Sequence, residues 1–66
     1  MFKWNRILKV TKNKNTYNIS AYVNNVLIWV ENEILLQSVL KYGFTVEQLP
    51  QKENEVKFYN AKLYNE

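Results

Sequence analysis

Strict alternation of apolar and polar side chains on either side of asparagine-rich turns is the feature that most constrains the fold of this chain. The apolar set of residues 16–23 occupies odd-numbered positions: Tyr17, Ile19, Ala21 and Val23. Residues 2–12 alternate in the same way, with Arg6 interrupting an apolar set of Phe2, Trp4, Leu8 and Val10. A period of two between turn signals predicts β-strands.

The turns fix which residues we expect to pair. A tight turn at Asn13-Lys14 sets Val10 opposite Tyr17 and keeps the apolar sets on one face, whereas a slip of one residue would mix the faces. Asn24-Asn25 suits a two-residue hairpin loop, because asparagine tolerates the left-handed conformation. The second turn predicts these pairs: Val23 with Val26, Ala21 with Ile28, Ile19 with Val30, Tyr22 with Leu27 and Ser20 with Trp29. The three segments therefore predict an antiparallel meander with one strongly apolar face.

A helix is predicted between Asn32 and Gly43. Asn32 is a suitable N-cap and Gly43 suits the left-handed position that ends a helix. An apolar stripe runs between them: Ile34, Leu35, Leu36, Val39, Leu40 and Tyr42. The stripe indicates that the helix packs against one face of the sheet.

The C-terminal third predicts a second hairpin. Residues 44–49 alternate and end at Pro50, which cannot donate to a strand ladder. Val56 and Phe58 share a parity, and beyond Tyr59 the parity switches, so either a bulge redirects the strand or the chain leaves the sheet. Residues 1–66 are thus expected to form one α+β domain of order β-β-β-α-β-β, a three-stranded meander plus a C-terminal hairpin with one helix on one face.

The side-chain inventory argues against catalysis. The 66 residues contain no Cys, no His and no Asp, so the usual zinc ligands, the commonest general base and the commonest activated nucleophile are missing. Glu31 and Glu33 would diverge on a helix and form no catalytic pair. A single glycine excludes phosphate-cradling and dinucleotide-binding loops. We expect no catalytic residue, no metal site, no cofactor and no enzymatic activity.

The distribution of apolar residues predicts a cytoplasmic protein without membrane contact. The longest apolar run is residues 26–30, far below the ~20 residues that span a bilayer. Neither a continuous hydrophobic stretch nor a cleavage site typical of a signal peptide follows the first charged residues. Enrichment in Asn, Lys, Ile and Tyr is typical of AT-rich coding sequences, as in low-GC bacteria and their phages.

Positive charge is concentrated at the N-terminus. The net charge of the chain is +3, but residues 1–14 hold five cations and no acid: Lys3, Arg6, Lys9, Lys12 and Lys14. Such a segment is suited to an acidic partner, including nucleic acid. We favour the other interpretation, a strand edge that its lysines keep solvated.

The second face of the predicted sheet carries the candidate partner-binding residues: Ile7, Tyr22, Leu27 and Trp29. Three hypotheses compete for this cluster. The segment 56–64 folds over it, or it binds a protein (a target or a second copy in a homodimer), or Tyr22 and Trp29 stack unpaired bases beside Lys3 and Lys9. We expect a non-enzymatic interaction protein that uses a sheet face or edge, of the kind that phages and mobile elements encode to modulate a host protein. The alternative is a small nucleic-acid-binding module.

Overall fold

The computed structural model describes residues 6–60 and contains one antiparallel sheet and one short helix. The elements are β1 (Arg6–Asn13), β2 (Thr16–Val23), β3 (Val26–Ile34), α1 (Leu36–Leu40) and β4 (Val56–Asn60). The strand order in the sheet is β3-β2-β1-β4. The predicted class, an antiparallel sheet with one helix, is confirmed. The predicted order β-β-β-α-β-β matches in part, because residues 6–60 form four strands and residues 44–49 do not pair with β4 in a hairpin.

The β1–β2 hairpin forms with its predicted faces and a shifted register. The two-residue turn is Lys14-Asn15 and not Asn13-Lys14, so Asn13 pairs with Thr16 and Val10 pairs with Ile19. Thr16 Oγ1 donates a hydrogen bond of 2.9 Å to the carbonyl oxygen of Asn13 and closes this turn. Because the shift is two residues, the side chains of Arg6–Asn13 and Thr16–Val23 stay on their predicted faces; Phe2 and Trp4 lie outside the described residues.

The β2–β3 hairpin turns at Asn24-Asn25, as predicted. Asn24 has φ 54° and Asn25 φ 69°, the left-handed values that this turn type requires. Tyr22 pairs with Leu27 as predicted, but Ala21 pairs with Trp29, so Ile28 is an extra residue in a β-bulge. The bulge shifts the rest of β3 by one residue.

The bulge overturns three predicted pairs: Ala21 with Ile28, Ile19 with Val30 and Ser20 with Trp29. Ser20 pairs with Val30 instead, which places Val30 on the face that had been predicted for Trp29. In the same way Trp29 moves to the face of Ala21, which is buried.

The helix is shorter than predicted, because β3 continues through Ile34. A second irregularity lies between Glu31 and Ile34, where Glu33 has φ 57° and its N–H donates to Asn18 Oδ1 at 2.8 Å. The predicted N-cap Asn32 is therefore wrong, and α1 follows Leu35, which makes no side-chain cap. Gly43 takes the predicted left-handed φ of 95°.

Residues 44–49 form a turn and not the predicted strand. Thr45 and Gln48 bond reciprocally: the Thr45 N–H donates to Gln48 Oε1 at 3.0 Å, and the Gln48 N–H donates to Thr45 Oγ1 at 3.3 Å. This is the pattern of a capping box. It turns Leu49 inward, where its side chain has no exposed area.

The core lies between the sheet and the segment formed by α1 and the turn after it. Its fully buried side chains are Val10, Ile19, Val39 and Leu49. Leu36 and Leu40 of the helix pack against them at the i, i+3, i+4 spacing that Val39 completes. The hydroxyl of the buried Tyr17 donates to the carbonyl oxygen of Pro50 at 3.5 Å, which ties the loop to the sheet.

Strand β4 adds to the free edge of β1. Phe58 pairs with Lys9 and Tyr59 with Leu8, so β4 extends the sheet and does not pair with residues 44–49. The ring centroids of Tyr59 and Phe44 lie 4.6 Å apart on the sheet face that α1 covers. The parity switch after Tyr59 concerns residues 61–66, which lie outside the described part of the chain.

Candidate functional site

The candidate site is the sheet face turned away from α1, called the far face below; the opposite face is the helix side. The strand register assigns large side chains from all four strands to the far face: Ile7, Lys9, Tyr22, Leu27, Val30, Val56 and Phe58. Six of these seven stand in two neighbouring rows across the sheet, and Val56 pairs with Thr11 in a third row. One row is Phe58, Lys9, Ser20 and Val30, and the next is Asn60, Ile7, Tyr22 and Leu27.

The apolar side chains on the two edge strands of the far face are exposed, whereas Ile7 and Tyr22 on the central strands are half-buried. Phe58 is 62% exposed, Leu27 50% and Val30 43%. Strand β4 does not bury this face; it adds Phe58 and Val56 to it, so the hypothesis that this part of the C-terminal segment covers the face is wrong. Residues 61–64 of that segment lie beyond the described range. A contiguous exposed apolar patch is typical of an interaction site.

A shallow groove crosses the far face. It is lined by Ile7, Lys9, Tyr22, Asn25 and Phe58 and holds about 210 Å³. That volume is below the ~300–1,000 Å³ of typical small-molecule pockets. The groove therefore suits a side chain or two of a macromolecular partner better than a free small ligand.

The electrostatic character of the far face is set by one lysine. Among the strand positions that pair on this face within residues 6–60, Lys9 is the one cation and none is acidic. Lys9 is flanked across the sheet by Ser20 and Phe58. The result is a positive charge set in an apolar surface.

Three of the four predicted partner-binding residues come together. Ile7 pairs with Tyr22, and Tyr22 pairs with Leu27, so these side chains form one row of the far face. The fourth, Trp29, lies on the helix side because of the bulge at Ile28.

Trp29 belongs to a separate aromatic cluster on the helix side. Its ring centroid is 5.8 Å from that of Tyr42. The Tyr42 hydroxyl donates to Glu31 Oε1 at 2.6 Å. These contacts place Trp29 on the opposite face of the sheet from Ile7 and Tyr22.

Three far-face residues were missed by sequence reasoning. The sequence predicts Val56 and Phe58 in a hairpin with residues 44–49, and Val30 on the helix side. The sequence signal for Phe58 is the Thr45-x-x-Gln48 pattern, which removes the supposed hairpin partner and leaves β4 to pair with another strand. For Val30 the sequence holds no such signal, because five apolar residues in succession fit either face equally well.

The predicted basic cluster is divided by the sheet. Lys9 lies on the far face, whereas Arg6 and Lys12 pair with the helix-side residues Val23 and Tyr17. Lys14 is in the first turn, and Lys3 lies outside the described residues. The cations of β1 therefore do not form a single positive surface within residues 6–60.

A small charged network lies in the loop before β4. Glu55 Oε1 accepts the backbone N–H groups of Gln51 at 2.7 Å and Lys52 at 3.1 Å, and Lys57 Nζ lies 3.6 Å from Glu55 Oε2. The two backbone donors, with a smaller effect of Lys57, lower the pKa of Glu55 from its ordinary value of 4.5. This network orders the loop and is separate from the groove.

The described residues define the class as a small α+β domain with a four-stranded antiparallel sheet. Within residues 6–60 no three His, Cys, Asp or Glu side chains are grouped closely enough to hold a metal ion. None of the helical structure in that range has the length and apolar character needed to cross a membrane. No protein-family model, curated protein or solved structure matches the chain.

Proposed function

We propose that this chain is a non-enzymatic interaction protein that binds a protein partner through the far face of its sheet. The observation that carries the proposal is the exposure of Phe58, Leu27 and Val30 on one continuous face. Aromatic side chains are enriched at protein interfaces, where a few buried residues supply most of the binding energy. A cytoplasmic modulator of a host protein, of the phage or mobile-element type, is the role we propose for such a surface.

The charge of the far face favours a different protein over a second copy. Two copies that met through this face would each contribute Lys9 and no far-face carboxylate from the paired strand positions. Like charges that approach in a partly desolvated interface oppose association. We therefore propose a heteromeric contact, and the homodimer becomes an outcome to be tested.

A nucleic-acid-binding function is the second candidate. Tyr22, Phe58 and Lys9 line the same groove, and aromatic side chains near a cation are suited to stacking single-stranded bases. The division of Arg6 and Lys12 from Lys9 weighs against it, because backbone phosphates are bound by clustered cations.

The test compares quantitative affinity capture by matched variants. Phe58→Thr and Leu27→Thr remove apolar surface from the far face and keep residue types suited to strands. Val46→Thr is the control, because Val46 is 47% exposed but lies in the turn after α1. We expect a protein captured by the wild type to be lost with the two far-face variants and retained with the control.

Three results would argue against the proposal. Equal losses with Phe58→Thr and Val46→Thr would mean that capture does not depend on the far face. Light scattering that gives a concentration-dependent dimer, abolished by Phe58→Thr, would replace the heteromeric contact by a homodimer. A steep loss of single-stranded DNA affinity with added salt, reduced by Lys9→Gln, would favour the nucleic-acid candidate.

A further inference from the structure

We infer that the far-face groove binds a protein segment that presents a carboxylate to Lys9 and an apolar side chain beside Ile7 and Phe58. This inference rests on the proposed function and specifies the chemistry of the partner. Three features carry it: the isolation of Lys9, the apolar walls around it and the absence of acidic side chains from the paired far-face positions.

Lys9 lacks an anionic neighbour within the described residues. It forms no ion pair within residues 6–60. Directly across the sheet stand Ser20 and Phe58, neither of which is charged. An unpaired ammonium group at the edge of apolar surface gains more from an incoming carboxylate than one in open water, because the local dielectric constant is lower.

The shape of the groove explains where the carboxylate and the apolar side chain would lie. Tyr22 and Asn25 complete the lining of the groove beside Ile7, Lys9 and Phe58. Phe58 is diagonal to Ile7 on adjacent strands, and residues in this relation are about 7–8 Å apart. An apolar side chain fits between these two while a neighbouring carboxylate reaches Lys9.

The complementarity of charge selects a class of partner. A surface that carries one cation and no acidic residue at its paired strand positions attracts acidic sequences and repels basic ones. The same surface disfavours its own copy, for the reason given above. A segment with Asp or Glu next to Leu, Ile, Val or Phe satisfies both parts of the groove.

The experiment is a selection from a library of random heptapeptides displayed on phage, carried out in parallel on the full-length wild type, Lys9→Glu and Lys9→Gln. On the wild type we expect enrichment of Asp or Glu beside a large apolar residue. On Lys9→Glu the acidic preference should change to Lys or Arg, and on Lys9→Gln it should disappear. The thermal midpoint and circular dichroism of each variant check that the fold is kept.

A double-mutant cycle sharpens the result. The strongest selected peptide is synthesised with its acidic residue and with the corresponding amide, and each is titrated against the wild type and Lys9→Gln. We expect the amide to weaken binding to the wild type about 5- to 10-fold and to change binding to Lys9→Gln less than about 2-fold. Phe58→Thr should weaken both peptides, and Val46→Thr neither.

The outcomes separate this inference from the proposed function. Peptides that need Phe58 but show no acidic preference, or equal effects of the amide on both proteins, would overturn the inference and leave the proposed function standing. Peptides unaffected by Phe58→Thr, or no enrichment above an empty support, would overturn both. Binding of a twelve-residue thymidine oligonucleotide that competes with the peptides and falls with Lys9→Gln would assign the groove to nucleic acid.

Discussion

The two faces of the sheet are built from the same four strands and differ in what covers them. On the helix side, α1 and the turn after it bury Val10 and Ile19 completely. On the far face, Val30 and Phe58 remain 43% and 62% exposed within the described structure. The comparison teaches that alternation determines which side chains share a face, whereas the segment after β3 determines which face becomes the core.

The largest expected difference comes from the same substitution on each face. Val10→Ala removes two fully buried methyl groups, which costs about 2–3 kcal/mol of unfolding free energy once the cavity is included. Val30→Ala makes the same chemical change at an exposed strand position and should cost less than about 1 kcal/mol. Urea unfolding of the two variants measures the difference; equal losses would mean that the far face is also buried.

A smaller loss of unfolding free energy is expected from a change in the turn after α1, which helps to cover the helix side of the sheet. Gln48→Ala removes the acceptor of the Thr45 N–H in the turn that directs Leu49 into the core. Loss of such a capping contact costs about 1 kcal/mol. Glu47→Ala, at the exposed neighbouring position, is the control and should change the unfolding free energy by less than about 0.5 kcal/mol. If both variants unfold at the same urea concentration, the reciprocal bonds do not hold the turn.

The smallest effect concerns pH. Because the folded pKa of Glu55 lies below its ordinary value of 4.5, the ionised carboxylate stabilises the fold above that pH. The contribution is lost as the pH falls through the folded pKa. Glu55→Gln should lower the thermal midpoint at about pH 7 and have a much smaller effect at about pH 3. A gap between the two proteins that stays constant with pH would contradict the role of the charge.

The sequence predicts the first hairpin better than the third strand, for a physical reason. Strict alternation in residues 16–23 penalises any slip of one residue, so the faces were right although the turn was placed one position early. Residues 26–30 contain no polar residue, so a shift of one residue at Ile28 moves no polar side chain to the wrong face and is not penalised. The move of Trp29 to the helix side was therefore not visible in the pattern.

The helix boundary was missed because a hydrogen bond to the neighbouring strand competes with capping. Asn32 is a good N-cap in isolation, but Asn18 on the neighbouring strand accepts the N–H of Glu33 and keeps the chain in the sheet. The partner is 15 residues away in sequence, so no local pattern reveals it. By contrast, Thr45-x-x-Gln48 is a local signal that was present and indicates the turn.

The candidate site was predictable in part. Alternation in the first two strands places Ile7 and Tyr22 on one face. The Asn24-Asn25 turn then pairs Leu27 with Tyr22 on that face. Phe58 depends on the pairing of β4 with β1, which joins segments distant in sequence and is fixed by packing and not by local pattern. The isolation of Lys9 likewise follows only when Phe58 and Ser20 are known to flank it.

The most direct test of the central claim is photo-crosslinking from the far face itself. The photoreactive residue p-benzoylphenylalanine is placed at Phe58 in one protein and at Val46 in another, and each is irradiated in the cells that produce it. The account predicts one discrete adduct with a different protein at position 58 and none at position 46. Equal adducts at both positions, no adduct at position 58, or an adduct of twice the chain's own mass would contradict it.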